Sequence, residues 1–340
     1  MAGISHLREF SKDALRGLVD ETLKESVPKL ADKYLPNAEI YSRTFAYDII
    51  KNNAHIAAMI GYGAEAPIVD RDAVARMHGE IAKMGLKYVV TEDELLAINE
   101  ARNNDEKSAM VERLVTKGVD LVEAIQKRID VIKMEAITKG TFEYNKNNVK
   151  VDIDFGIPAE HKIALTAGND WDDENRDVIG DLLEAVKQYE DTNGQSPEDM
   201  LVSREVMARL QKNLLIVAEA GRPEGATRVS QAEVVDVLQS YGLPAVTVVT
   251  DRKVTVRNVY TGENETIEFM PSNRVVFASS NVGEFLIGVT VENDFRPGIN
   301  LSVYDKQEPI ESVIKAVAAG FPALERPELI LHLDVFTPAN

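Results

Sequence analysis

Apolar residues recur at three- and four-residue steps over much of the first half of the chain. Ile4, Leu7, Phe10, Leu15, Leu18, Val19, Leu23, Val27 and Leu30 are set among charged residues, the pattern of an amphipathic helix or pair of helices halted by Pro28 and Pro36. Residues 38–50, AEIYSRTFAYDII, are rich in β-branched and aromatic side chains and predict a strand. The strongest helical signal spans 91–139. Thr91 and Glu94 match a capping box, and Asn103-Asn104-Asp105 supplies a break with a fresh cap. Leu114, Gly118, Leu121, Ile125, Ile129, Ile132 and Ala136 then make one stripe that ends at Lys139-Gly140. A helix over 105–139 is about 50 Å long at about 1.5 Å per residue. A small core cannot cover that length, so the helix is expected to lie across a flat or elongated body.

The segment 51–90 behaves differently. It carries Gly61, Gly63, Pro67, Gly79 and Gly85, short apolar runs such as HIAAMIGY, and few long apolar side chains with an obvious partner. A long stretch without a core of its own is usually functional or ordered by something outside it, and it reads as a projecting hairpin. Beyond the long helix, FEYNKNNVKVDIDF alternates on both sides of an Asn-rich turn and predicts a β-hairpin. Helices at 174–190, 204–213 and 230–241 follow, with strands near 199–203, 245–249, 253–260, 265–269 and 274–278. A last strand at 299–305 leads into SVIKAVAAGFPALERPELILHLDVF. The order is α+β with mixed connections and lacks the strict βαβ alternation of a doubly wound sheet.

Composition narrows the function classes. The chain has 340 residues, 44% of them hydrophobic, enough for one large or two ordinary domains. It has no cysteine, which removes disulfides, thiolate metal sites and cysteine nucleophiles and suits reducing cytoplasm. No window approaches the ~20 apolar residues of a membrane span, and MAGISHLREFSKDALRG mixes charge with apolar residues unlike a signal peptide. With 38 Lys+Arg against 56 Asp+Glu the net charge is −18, the wrong sign for gripping a phosphate backbone and the right one for lying beside DNA without holding it.

Catalytic patterns are missing. His6, His55, His78, His161 and His332 are scattered, with no HExxH and no nucleophile elbow. GYGAEAP and AEAGRPEGATR have glycines without the order of a phosphate loop. The acidic run at 169–177, NDWDDENRD, lacks the turn glycine and the closing Glu of an EF-hand loop. Asp172, Asp173 and Glu174 are explained as a helix N-terminal cap, and the lone Trp171 as an anchor at a domain junction. No catalytic, cofactor-binding or metal residue is assigned and no cofactor is expected. A magnesium-dependent soluble α+β enzyme using the acidic run stands as a remote alternative.

Four stretches in order carry a resemblance: GYGAEAPIVDRDAVARMHGEIAKMGLKYVVTEDEL; KMEAITKGTFEYNKNNVKVDIDFGIPAEHKIAL; NDWDDENRDVIGDLLEAVKQY; and YDKQEPIESVIKAVAAGFPALERPELILHLDV. Together they resemble the lambda-like phage major capsid proteins of family E, with the Hong Kong 97-type capsid fold, from about residue 38 to about 336. The resemblance implies an N-terminal arm (1–37), an extended E-loop with flanking strands (38–90) and a peripheral domain on a long spine helix (91–177). It further implies an axial domain (178–295), a return to the peripheral domain (296–322) and a C-terminal segment joining the axial domain (323–340). In this fold the arm and the E-loop reach over neighbouring subunits, which gives the coreless 51–90 segment and the overlong helix their partners. Ile60, Tyr62, Pro67, Val69, Met77, Lys83 and Lys87 are the implied intersubunit residues.

The implied function is that of a tailed-phage major capsid protein that assembles through pentamers and hexamers into an icosahedral head around double-stranded DNA, without sequence-specific binding. The implied partners are further copies of the chain, a separate scaffolding protein, a portal protein and a decoration protein, with no membrane. Assembly is expected in the bacterial host cytoplasm, with the product in the virion. No large propeptide and no lysine cross-linking are expected. An encapsulin-type bacterial compartment is the nearer alternative.

Overall fold

The computed structural model describes residues 3–27, 29–42, 44–50, 73–80, 82–101, 103–146, 149–223, 225–257 and 262–338. The elements in chain order are α1 (Lys12–Glu25), β1 (Asn37–Glu39), β2 (Thr44–Ile50), β3 (Ala73–Glu80), β4 (Ala82–Val90), α2 (Glu92–Asn99), α3 (Asn104–Lys139), β5 (Thr141–Lys146), β6 (Val149–Asp154) and β7 (Lys162–Ala164). There follow α4 (Val178–Asn193), β8 (Asp199–Ser203), α5 (Arg204–Leu210), α6 (Leu214–Glu219), α7 (Gln231–Ser240), β9 (Ala245–Val249), β10 (Lys253–Arg257), β11 (Asn264–Glu268) and β12 (Arg274–Ala278). The chain closes with β13 (Gly283–Thr290), β14 (Arg296–Pro297), β15 (Asn300–Gln307), β16 (Ile310–Leu324) and β17 (Ile330–Asp334).

The long helix forms where its caps place it. The Asn103 side chain accepts from the Glu106 amide at 2.7 Å, and Gly140, at φ 69°, turns the chain back with its N–H on Ala136. The first half of α3 is amphipathic: Val111, Leu114, Gly118, Val122, Ile125 and Ile129 face inward. Gly118 stands in this stripe because Leu301 crosses there, and an added Cβ would meet it at 3.1 Å. From Val131 to Thr138 every residue is buried, so the last two turns are enclosed on all sides. Such an end leaves orphan carbonyls that need donors. Arg274 on β12 donates to the Thr138 carbonyl at 2.9 Å, and His332 on β17 donates through Nε2 to the Ile137 carbonyl at 2.8 Å.

Two larger sheets meet this helix, one along its length and the other at its C-terminal tip. A six-stranded sheet is organised around β16, which pairs with β4 along one side and with β15 and then β13 along the other; β1 and β14 add to β13. α3 packs across β16. Small residues permit the close approach of β13 to β16. An added Cβ on Gly320 would lie 2.5 Å from the Phe285 ring, and one on Gly283 would lie 1.9 Å from the Ala323 carbonyl oxygen. The second sheet, β7-β17-β12-β8-β9, is mixed, with α4 to α7 around it. β8 is buried at every position and β12 and β17 nearly so, as expected of strands covered on both faces. Hairpins β2–β3, β5–β6 and β10–β11 are two-stranded sheets of their own.

Several expectations are corrected. The single strand at 38–50 is two: β1 runs parallel to β13, while β2 leaves to pair with β3 in a separate sheet. The coreless stretch ends before 90, since β4 is a full partner of β16 and Val90 is completely buried. The helix predicted at 174–190 begins at Val178. Asp177 is its cap, accepting from the Gly180 amide at 2.8 Å, and Asp172, Asp173 and Glu174 precede it. The fifteen-residue β16 carries no alternation because it is covered on both faces, and Pro322 is tolerated because β4 ends at the Gly320 position, so that among the described residues no strand pairs with that edge at Pro322.

Two measurements test this account. Gly283→Ala is expected to lower unfolding free energy by about 1–3 kcal/mol in urea titration, because its methyl group meets backbone that cannot rotate away. His332 is pushed down to about 3, first by burial and then by the Arg274 charge. Its ordinary value in the unfolded chain is ~6.5, so the stability it supports is intact above that pH and is lost progressively as pH falls toward 3. His332→Gln is expected to flatten the stability-versus-pH curve between roughly pH 6 and 4; an unchanged slope would refute the assignment.

Candidate assembly interface

Of the residues assigned to intersubunit contact, Ile60, Tyr62, Pro67 and Val69 lie outside the described residues. Met77 is on β3, opposite Tyr47 of β2. Lys83 and Lys87 are on β4, with exposed side chains on one face of the subunit's own sheet. Lys87 stands directly opposite Lys315 of β16, a like-charge pairing that is unfavourable unless compensated. Glu292 compensates it. Its Oε1 accepts from Lys83 at 2.7 Å and from Lys315 at 2.9 Å, and these two bonds hold the carboxyl down at about 2.

The N-terminal arm is the second implied contact element, and the described part of it folds onto its own subunit. Ile4, Phe10, Leu15, Val19, Tyr34 and Leu35 are buried, and α1 packs against α3 and β15. The segment after α1 is latched by charge. Lys133, 1% exposed within α3, donates to Asp32 at 2.5 Å, and its ammonium lies 5.4 Å from the centre of the Phe285 ring. Lys33 and the Tyr34 hydroxyl both reach Asp199 at the start of β8, the latter at 2.9 Å. Burial, reinforced by that carboxylate, raises the Tyr34 phenol well above its ordinary value. A buried lysine needs its counter-charge nearby, and Asp32 of this segment supplies it.

The acidic run is consumed by structure. Asp172 pairs with Arg209 at 2.7 Å, Asp173 accepts from the Asn175 amide at 2.9 Å, and Asp181 takes both Arg176 and the Trp171 indole N–H. Trp171 is 3% exposed, and its backbone N–H bonds to Val335, so it pins the α4 entry to the C-terminal strand. Among the described residues no three His, Cys, Asp or Glu side chains gather to hold a metal ion. No described helix is long and apolar enough to cross a membrane.

Exposed apolar side chains mark what the subunit leaves uncovered. Val27, Tyr41, Leu96, Leu215, Val291 and Phe295 all present large apolar surface to solvent. Sequence patterning had no means of finding Val291 and Phe295, which sit in a short turn without periodicity.

The model of one protein family, phage major capsid protein E, matches residues 21–313, from the last turn of α1 to the first residues of β16. The chain belongs to this family. As a phage major capsid protein it is a self-assembling subunit of the virion shell. Its fold is the Hong Kong 97-type capsid fold, shared with a prophage protein of E. coli CFT073 described as a capsid protein, at TM-score 0.62 and 15% identity over 95% of this chain and 98% of that one. A phage-related protein from Bordetella bronchiseptica RB50 superimposes at TM-score 0.53 with 12% identity, over 95% and 98% of the two chains. The mature capsid of bacteriophage PhiM1 does so at 0.51 with 11% identity, over 93% and 89%. No curated protein matches the chain.

The arm latch of this capsid subunit is testable by an asymmetry. Asp32→Asn strands a buried ammonium and is expected to cost about 3 kcal/mol, whereas Lys133→Met removes the charge altogether and is expected to cost distinctly less. Urea denaturation of both variants reads the difference; equal losses would mean that Asp32 does not neutralise Lys133.

Proposed function

We propose that this capsid protein assembles through pentamers and hexamers into an icosahedral head that encloses double-stranded DNA, and that it performs no catalysis. A scaffolding protein separate from this chain, a portal protein and a decoration protein are the further partners in this reading, and assembly takes place in the bacterial host cytoplasm.

One observation carries the reading. β2 and β3 pair with each other and, among the described residues, with no other strand. A lone two-stranded hairpin is marginal in water, so its stability is supplied by something outside the subunit, and in a shell that is the next subunit. Residues 51–72 lie between these strands and include Ile60, Tyr62, Pro67 and Val69. Together with Met77 on β3 and Lys83 and Lys87 on β4 they form the proposed intersubunit set. The net charge of −18 fits an inner wall along which packaged DNA slides instead of sticking.

Electron microscopy of the purified protein, with and without a scaffold, is expected to show shells, tubes or capsomer rings; a uniform monomer or dimer under both conditions would refute the assembly reading. Replacing residues 58–72 by a short Gly-Ser linker is expected to leave a folded subunit with unchanged circular dichroism and no closed shells. Nucleic acid inside the particles distinguishes a head from a compartment loaded with protein cargo.

A further inference from the structure

We propose that the turn at 291–295 is a self-association surface, in which Val291 and Phe295 form an apolar knob with a basic rim that docks on an acidic surface of a second copy of this chain. The inference rests on the shell-forming reading and names a contact which that reading leaves unassigned.

Val291 is 70% exposed and Phe295 67% exposed, two large apolar side chains presented to solvent within five residues of each other. Their presentation is built and rigid. Asp294 and Phe295 adopt φ of 54° and 58°, the left-handed region. Aspartate tolerates that conformation, but an aromatic residue there is an outlier that only surrounding structure can hold. The surroundings do hold it. Asp294 is paired with Lys12 and Arg16 of α1, Glu292 with Lys83 of β4 and Lys315 of β16, and the Asn293 amide donates to the Arg296 and Pro297 carbonyls at 3.1 and 3.2 Å. Three elements distant in sequence thus clamp one five-residue turn. A turn held so firmly, with its two apolar residues turned outward, is a surface prepared for docking.

Charge selects the occupant. Lys12, Arg16, Lys83, Arg296 and Lys315 outnumber Glu292 and Asp294 around the knob, so this patch is basic on a chain whose net charge is −18. Its complement is an acidic surface with an apolar centre, which the chain itself offers. On α2, Leu96 is 50% exposed beside Glu92, Asp93 and Glu100, all exposed. A contact between two different faces of identical subunits is heterologous and propagates around a ring, and aromatic anchors within charged rims are what such interfaces use.

Phe295→Gly separates docking from folding. Glycine is at ease at φ 58° and the ring contributes little to the core, so the subunit's thermal midpoint should be unchanged or raised while the yield of closed particles falls at least about tenfold. Arg296→Glu, which inverts part of the rim, should lower the yield in the same direction. A photo-reactive benzoylphenylalanine at 295 should cross-link to an acidic peptide of a second copy within particles. Wild-type particle yield from Phe295→Gly, or cross-links only to another protein or to none, would overturn the proposal while leaving the shell reading intact. Failure of the unaltered chain to assemble at all would remove both.

Discussion

The structure depends on how one end of the long helix is buried. Residues 131–138 of α3 have no solvent-facing side, and two of the carbonyls that a helix terminus leaves unpaired are met by Arg274 and His332 of the five-stranded sheet. Arg274 is itself fixed by two bonds to Asp334 at 2.7 and 2.8 Å. The helix that carries the six-stranded sheet along its length is therefore plugged by its tip into the other sheet. Neither half can shift without exposing a charge or a backbone carbonyl.

The same economy governs the electrostatics. The net charge is strongly negative, yet several buried and half-buried ions are neutralised within the subunit: Lys133 by Asp32, Arg274 by Asp334, Asp181 by Arg176, and Glu292 by two lysines. The surplus of carboxylates is left to the surface, where it repels phosphate. Two features stand apart from this pairing: the β2–β3 hairpin, which among the described residues joins no larger sheet, and the exposed apolar side chains of the 291–295 turn.

The elements with local signatures were legible from the sequence. The capping box at Thr91 and Glu94, the cap at Asn103, the stripe along α3, its stop at Gly140 and the β5–β6 hairpin all depend on residues within a few positions of one another, and all stand where periodicity and capping chemistry put them. The class of chain was equally legible in the residue pattern of family E, which the family match bears out. Tertiary structure alone decided the rest. β1 and β2 read as one strand because the local pattern is continuous, but they pair in different sheets. β16 gives no alternation because both of its faces are covered, and Asp177 displaces three earlier acids as the cap because Asp172 is drawn to Arg209 and Asp173 closes its own turn. The Asp32–Lys133 latch spans 101 residues and the Lys12–Asp294 pair 282, so no window of sequence contains either. Local sequence determines where the backbone can satisfy itself; which buried charges meet, and which apolar side chains stay outside, is settled only when distant segments compete for the same space.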